Sequence, residues 1–137
     1  MPVVVAASKA LIKYNGKYLF LREKHPDGDM WDIPGGKIEY GETPEEALYR
    51  EVKEEVDLDV TITGYAGVWW FISHKTKNEA ICVTFYCEIN GSADIDMSKN
   101  PADEHFEEYR WLTLDKAVDN KDAKLEYSLK ELLHKLS

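Results

Sequence analysis

The run Thr43-Pro44-Glu45-Glu46 constrains this chain more than any other short stretch in it. Thr43 is an N-cap whose hydroxyl can accept from the backbone of the third helical residue. Pro44 suits the first helical position, where no amide partner is lost, and Glu46 can reach back to the Thr43 amide and close a capping box. A helix starts there. Leu48, Val52 and Val56 then recur every four residues, a stripe that buries one face and carries the helix to about Val56. Just upstream, Pro34-Gly35-Gly36 sets backbone freedom above propensity, the composition of a place where main chain must approach something closely.

Strands flank this helix. Residues 3–14 and 17–23 are rich in β-branched and aromatic side chains and are separated by Asn15-Gly16, a strong signal for a two-residue hairpin turn. A loop through His25-Pro26-Asp27-Gly28-Asp29 leads to a short apolar piece at Trp31 and Ile33. Residues 60–73 and 80–89 read as strands and 109–112 as a short one, before Thr113-Leu114-Asp115 begins a further helix. Leu125, Leu129, Leu132, Leu133 and Leu136 form the stripe of an amphipathic C-terminal helix. Strands, a helix, more strands and terminal helices predict an α/β sandwich with a mixed sheet, and 137 residues make one domain, 1–137.

The net charge of −9 opposes a broad surface tracking a polyanion, so a nucleic-acid polymer is not the expected partner. Small anionic substrates remain compatible if bound cations carry the positive charge. No stretch reaches the 18 or so apolar residues of a membrane span, and the apolar N-terminal residues 2–7 follow no basic segment. Cys82 and Cys87, five residues apart on one strand, point to opposite faces. Neither a disulfide between them nor a zinc site is expected, which together with the missing span predicts a reducing, cytoplasmic setting.

Within the central helix Glu51, Glu54 and Glu55 stand at i, i+3 and i+4. Like charges at these spacings destabilise an isolated helix by a few tenths of a kcal/mol per pair, so a helix that keeps them is suited to serve a cation. Magnesium matches such a cluster, being a hard ion that takes oxygen ligands and binds a few carboxylates together with substrate phosphates; manganese is the alternative. On charge pattern alone, a solvated face with salt links from Arg50 and Lys53 is the ordinary account.

The wider spacing argues otherwise. From Gly36 the chain reads GKIEYGETPEEALYREVKEEVDL, which resembles the Nudix box, G-x5-E-x7-R-E-U-x-E-E-x-G-U with U aliphatic. Gly36, Glu42, Arg50, Glu51, Val52, Glu54, Glu55 and Leu58 fall on its positions. Six fixed identities at a background of roughly one in fifteen each coincide by accident at about one in ten million per starting position. One position departs: Asp57 stands where the family has a glycine after the helix, although Asp is among the few other residues that tolerate a left-handed conformation.

The resemblance implies an α/β/α sandwich of the Nudix type and a metal-dependent hydrolase. Its substrate would be a nucleoside diphosphate linked to another moiety: a nucleoside triphosphate, an ADP-ribose-like compound or a nucleotide sugar. It implies that the Gly36 carbonyl with Glu51, Glu54 and Glu55 holds the metals, with Glu42 and Arg50 as a supporting pair. Dimers are frequent among proteins of this resemblance. A non-catalytic nucleotide-binding module on the same fold is the alternative, disfavoured because Arg50 and all three helix glutamates are present.

Outside the box the signals are weaker. Trp31, or the run Trp69-Trp70-Phe71, offers a stacking surface for a base, although consecutive strand residues cannot all face one way. Trp31 is taken as a substrate contact, and Arg22, ending the second strand, as a guanidinium near phosphate. The four histidines show no HExxH spacing or pairing. Residues 92–108 read as an acidic loop, a length that in a compact domain is more often functional than filler. By the resemblance, a further glutamate from this loop, Glu104, reaches a metal or the attacking water, whereas Glu107 and Glu108 enter the strand that ends at Trp111. A carboxylate accepting that water's proton contributes typically 10²–10⁴-fold. Steady-state kinetics of Glu104→Gln should therefore show kcat well below that of Glu107→Gln with little change in KM. Equal, near-native rates would return Glu104 to a solvated loop and leave Glu51 as the better base.

Overall fold

The first strand organises everything after it. The computed structural model describes residues 1–100 and 106–137, and in it β1 (Val4–Tyr14) turns into β2 (Lys17–Glu23) through Asn15 and Gly16, with φ of 52° and 77°. Two positive φ values in a two-residue turn match the right-handed twist of the strands it joins. β1 and β2 pair only at this end, Lys13 with Tyr18 and Tyr14 with Lys17. Diverging beyond it, β2 carries β3 (Met30–Asp32) and β7 (Phe106–Leu112), both antiparallel. The other half of β1 takes β4 (Gly35–Lys37) antiparallel, while β6 (Glu79–Ile89) runs parallel to β1 from Val4 opposite Glu79 to Lys13 opposite Glu88. β5 (Val60–Ile72) closes the far side antiparallel to β6. The result is a mixed seven-stranded sheet.

Alternation along β1 builds two cores. Ala7 and Leu11 belong to one cluster with Trp69, Cys82, Leu129 and Leu133, covered by α2 (Leu114–Asp119) and α3 (Tyr127–Leu136). Ala10 and Ile12 belong to the other with Leu48, Val52, Val56 and Cys87, covered by α1 (Pro44–Val56). Helices on both faces give the α/β/α layering expected, and the two free cysteines fall on opposite sides of the sheet. None of the helices, among the described residues, is long and apolar enough to cross a membrane.

Three features depart most from the sequence expectation. β7 begins at Phe106, three residues early, because pairing with β2 down to Glu23 draws charged Glu107 and Glu108 into the ladder. Within the acidic segment, Ile95 and Met97 pack against the α1-side core and the Asp96 amide donates to the Val56 carbonyl at 3.1 Å; apolar anchoring outweighs the acidic composition there. α3 starts only at Tyr127, leaving Leu125 packed against the core from outside the helix.

Val52 is fully buried at the centre of the α1 stripe. Truncation to Ala should cost roughly 0.5–3 kcal/mol through lost burial. Denaturant melts are expected to show that loss while the activity of the folded fraction stays largely intact.

Candidate active site

The N-terminal half of β1 holds two things at once. On one side it pairs Ser8 with Gly36 and Lys9 with Gly35, and the Ala10 amide donates to the Pro34 carbonyl at 2.8 Å. On the other, Ser8 Oγ donates to the Pro44 carbonyl at 2.7 Å and ties down the start of α1. The capping box read from the sequence is present, with Thr43 N to Glu46 Oε1 at 2.9 Å and Glu46 N to Thr43 Oγ1 at 3.1 Å. At the far end Asp57 takes the left-handed conformation, φ 57° and ψ 37°, and its amide caps Lys53 O. The Asp in place of glycine therefore makes the same kind of turn.

Between these anchors the glycine backbone meets the carboxylates of α1. Gly35, at φ +136°, donates its amide to Glu55 Oε1 at 2.7 Å. A Cβ on Gly35 would lie 2.1 Å from Ser8 O, and one on Gly36 would lie 2.6–2.8 Å from the carboxyl atoms of Glu51. Only main chain fits. Glu51 and Glu55 are 7% and 1% exposed, deep for ionisable groups.

Arg50 gathers the surrounding charge. Its Nε and Nη2 donate to the two oxygens of Glu42 at 2.8 and 2.9 Å, a bidentate pair, and Nη1 donates to Glu51 Oε1 at 3.0 Å and Glu54 Oε2 at 3.5 Å. Nη2 also donates to the Lys37 carbonyl at 3.1 Å. The Arg50 hydrogen bond, aided by the Glu39 amide, holds the Glu42 carboxyl down at about 2, and the same bond with Glu42 raises Arg50 above the usual guanidinium value. This is charge-assisted pairing of the kind that fixes orientation as well as charge.

Carboxylate oxygens beside a glycine carbonyl are a hard donor set of the kind magnesium or manganese takes. Glu51, Glu54 and Glu55 could supply such oxygens, and the absence of a side chain at Gly36 leaves its backbone against Glu51. Among the described residues no three His, Cys, Asp or Glu side chains already converge on one point.

Residues expected outside the box are placed elsewhere. Trp31 is 2% exposed, in the core on the α3 side of the sheet, with Arg22 and Arg110 stacked at 5.5 and 5.1 Å from its ring centroid. It offers no open face to a base. Arg22 is drawn to Asp29, Glu108 and Asp122 at 2.9, 3.2 and 3.5 Å instead of standing free for phosphate. Apolar burial and carboxylate pairing explain both corrections. Trp69 is buried, Trp70 exposed and Phe71 half-buried, the alternation a strand imposes. His25 and His74, distant in sequence, bring their rings to 5.3 Å. Glu104 lies outside the described residues.

Lys9 and Asp32 went unread. Lys9 is 5% exposed on β1, donating to Asp32 Oδ2 at 3.0 Å and to the Ile33 carbonyl at 3.2 Å. Burial works against its charge, but the attraction of Asp32 and Glu55 outweighs it and leaves the ammonium above the ordinary lysine range. The available signal was a lysine between Ala7 and Leu11 on the buried parity of a strand.

Comparisons with known proteins point to one family. The family model for the NUDIX domain matches residues 4–136. An 8-oxo-dGTP diphosphatase of Proteus vulgaris is 45% identical over 83 residues, covering 60% of this chain and 71% of that protein. An ADP-ribose pyrophosphatase of Methanocaldococcus jannaschii is 32% identical over 87 residues, 64% of this chain and 52% of that protein. Among solved structures, a MutT protein from Methanosarcina mazei superposes with a TM-score of 0.80 at 25% identity, covering 98% of this chain and 93% of that one. The glycine backbone set against the α1 carboxylates thus sits inside a family match that spans nearly the whole sequence, and the chain belongs to the Nudix hydrolase family.

Proposed function

We propose that this chain hydrolyses the diphosphate linkage of a nucleoside diphosphate joined to a further moiety, using Glu51, Glu54, Glu55 and the Gly36 carbonyl as metal ligands. The observation that carries the reading is the close approach of Gly35 and Gly36 to Glu55 and Glu51, which brings main chain and buried carboxylates together where no side chain fits. When bound, the divalent cation neutralises the diphosphate oxygens and lowers the pKa of the attacking water. The rest falls to the protein. Glu42 and Arg50 orient the carboxylates, α1 holds them at one level, and Gly35 fixes Glu55 through its amide. Water adds to phosphorus, its proton passes to a carboxylate, and the P–O–P bridge breaks to leave two phosphate products.

The named activities of the relatives suggest which substrates to test. They act on 8-oxo-dGTP and ADP-ribose, and RNA pyrophosphohydrolases such as that of Stutzerimonas stutzeri are also similar, at 31% identity over 128 residues. A net charge of −9 favours a small diphosphate over an RNA chain. A magnesium-supported screen over nucleoside triphosphates, ADP-ribose-like compounds, nucleotide sugars and 5′-triphosphorylated RNA, with products identified, decides among them. Magnesium binding without turnover on any of them would make this a binding module.

Activity should require a divalent cation, rise toward alkaline pH as the bound water loses its proton, and vanish in excess EDTA. Unchanged hydrolysis in chelator would sink the metal mechanism. Gly36→Ala should lower kcat by about tenfold or more, because the new Cβ displaces the Glu51 carboxylate by a fraction of an ångström or more. Circular dichroism should show the fold retained, and a fully active, folded Gly36→Ala would remove the close approach from the site.

A further inference from the structure

Lys9 has no part in the box, yet its contacts converge on the segment that carries Gly35 and Gly36. Its ammonium donates to Asp32 Oδ2 at 3.0 Å and to the Ile33 carbonyl at 3.2 Å. Its backbone pairs with Gly35, and its Cα and Cδ would lie 2.7 and 2.9 Å from a Cβ placed there. The Lys9 stem therefore packs directly under the residue whose amide holds Glu55. Trp69 closes the other side, its ring centroid 5.8 Å from Nζ. A buried ion pair is on balance a weak source of stability against an apolar pair of the same shape. Stability alone thus leaves unexplained why a lysine is kept under this turn.

We propose that Lys9 is a positioning residue for hydrolysis: its ammonium clamps residues 32–35 to β1, so that the Gly35 amide and the Gly36 backbone are held against Glu55 and Glu51. The clamp rests on the hydrolase reading above. It acts on the turn from the α3 side of the sheet, opposite α1, and touches neither substrate nor metal. Its geometric share is the Ile33 carbonyl, which no carboxylate partner can replace.

The test separates a clamp from a structural ion pair. Lys9→Met keeps the stem and removes the charge, but alone it leaves Asp32 without its ammonium; Lys9→Met/Asp32→Asn removes both charges. In the metal-free double variant the Gly35 amide should exchange with solvent about tenfold faster relative to the amides of α1, with Tm close to that of the wild type. With magnesium and a diphosphate substrate, kcat should fall about ten- to a hundredfold at nearly constant KM. Asp32→Asn alone keeps Lys9 on the Ile33 carbonyl and puts an amide oxygen where the carboxylate was, so both readouts should change clearly less than in the double variant, which keeps the idea testable even if the double variant folds poorly. Wild-type exchange at Gly35 and wild-type kcat in the double variant would reduce the pair to a structural one. Equal losses in Asp32→Asn and the double variant would assign the role to Asp32. If the wild type cleaves no diphosphate, the hydrolase reading falls by itself, while the exchange rates still decide whether Lys9 holds the turn.

Discussion

The site depends on one close approach, that of the Gly35–Gly36 backbone to the carboxylates of α1. A methyl group at either position meets Ser8 O or the Glu51 carboxyl well inside contact distance, so the geometry exists only because two residues have no side chain. That in turn requires β1 to hold the turn and the helix together. The pairings of Ser8 and Lys9 with Gly36 and Gly35, and the Ser8 hydroxyl on the Pro44 carbonyl, meet that requirement within three residues of one strand. Layering, hairpin and capping box serve to bring these pieces to one end of the sheet.

Charge is managed around the same point. Three glutamates at helical spacing repel one another, and two of them are almost fully buried, where desolvation of an unpaired carboxylate costs several kcal/mol. The repulsion is offset from three directions. Arg50 approaches from the Glu42 side, the Gly35 amide from the turn, and the attraction of Lys9 from beneath. Arg50 bridges Glu42, Glu51 and Glu54 at once, so any charge brought to the helix face competes with a guanidinium already in place.

What was legible in the sequence was what repeats or punctuates. The capping box, the four-residue stripe of α1, the Asn15-Gly16 turn and the parity of Cys82 and Cys87 are local consequences of backbone geometry, and the structure has each of them. The spacing from Gly36 to Leu58 carried the family because it couples a turn to a helix face. Trp31 was misread because its burial is decided by α3 and by two arginines from β2 and β7, none of them adjacent in sequence. Lys9 was missed for the opposite reason. A charged residue amid apolar ones looks like a solvated strand position until Asp32, contributed by β3, is seen to meet it.

These two failures share a cause that also limits how far substrate can be inferred. Both depend on side chains that meet across the sheet on the α3 side, where no periodicity links the partners. On the proposed reading, the chemistry of cutting a diphosphate is built on the α1 side from one helix and one turn, and so it is written in one continuous stretch of sequence. Recognition of whatever lies beyond the diphosphate falls to segments outside that stretch. Relatives that share the first can differ in the second, as the named activities on 8-oxo-dGTP and ADP-ribose do. Lys9 stands at the junction, with its backbone in the strand that pairs with the Gly35–Gly36 segment and its ammonium on Asp32.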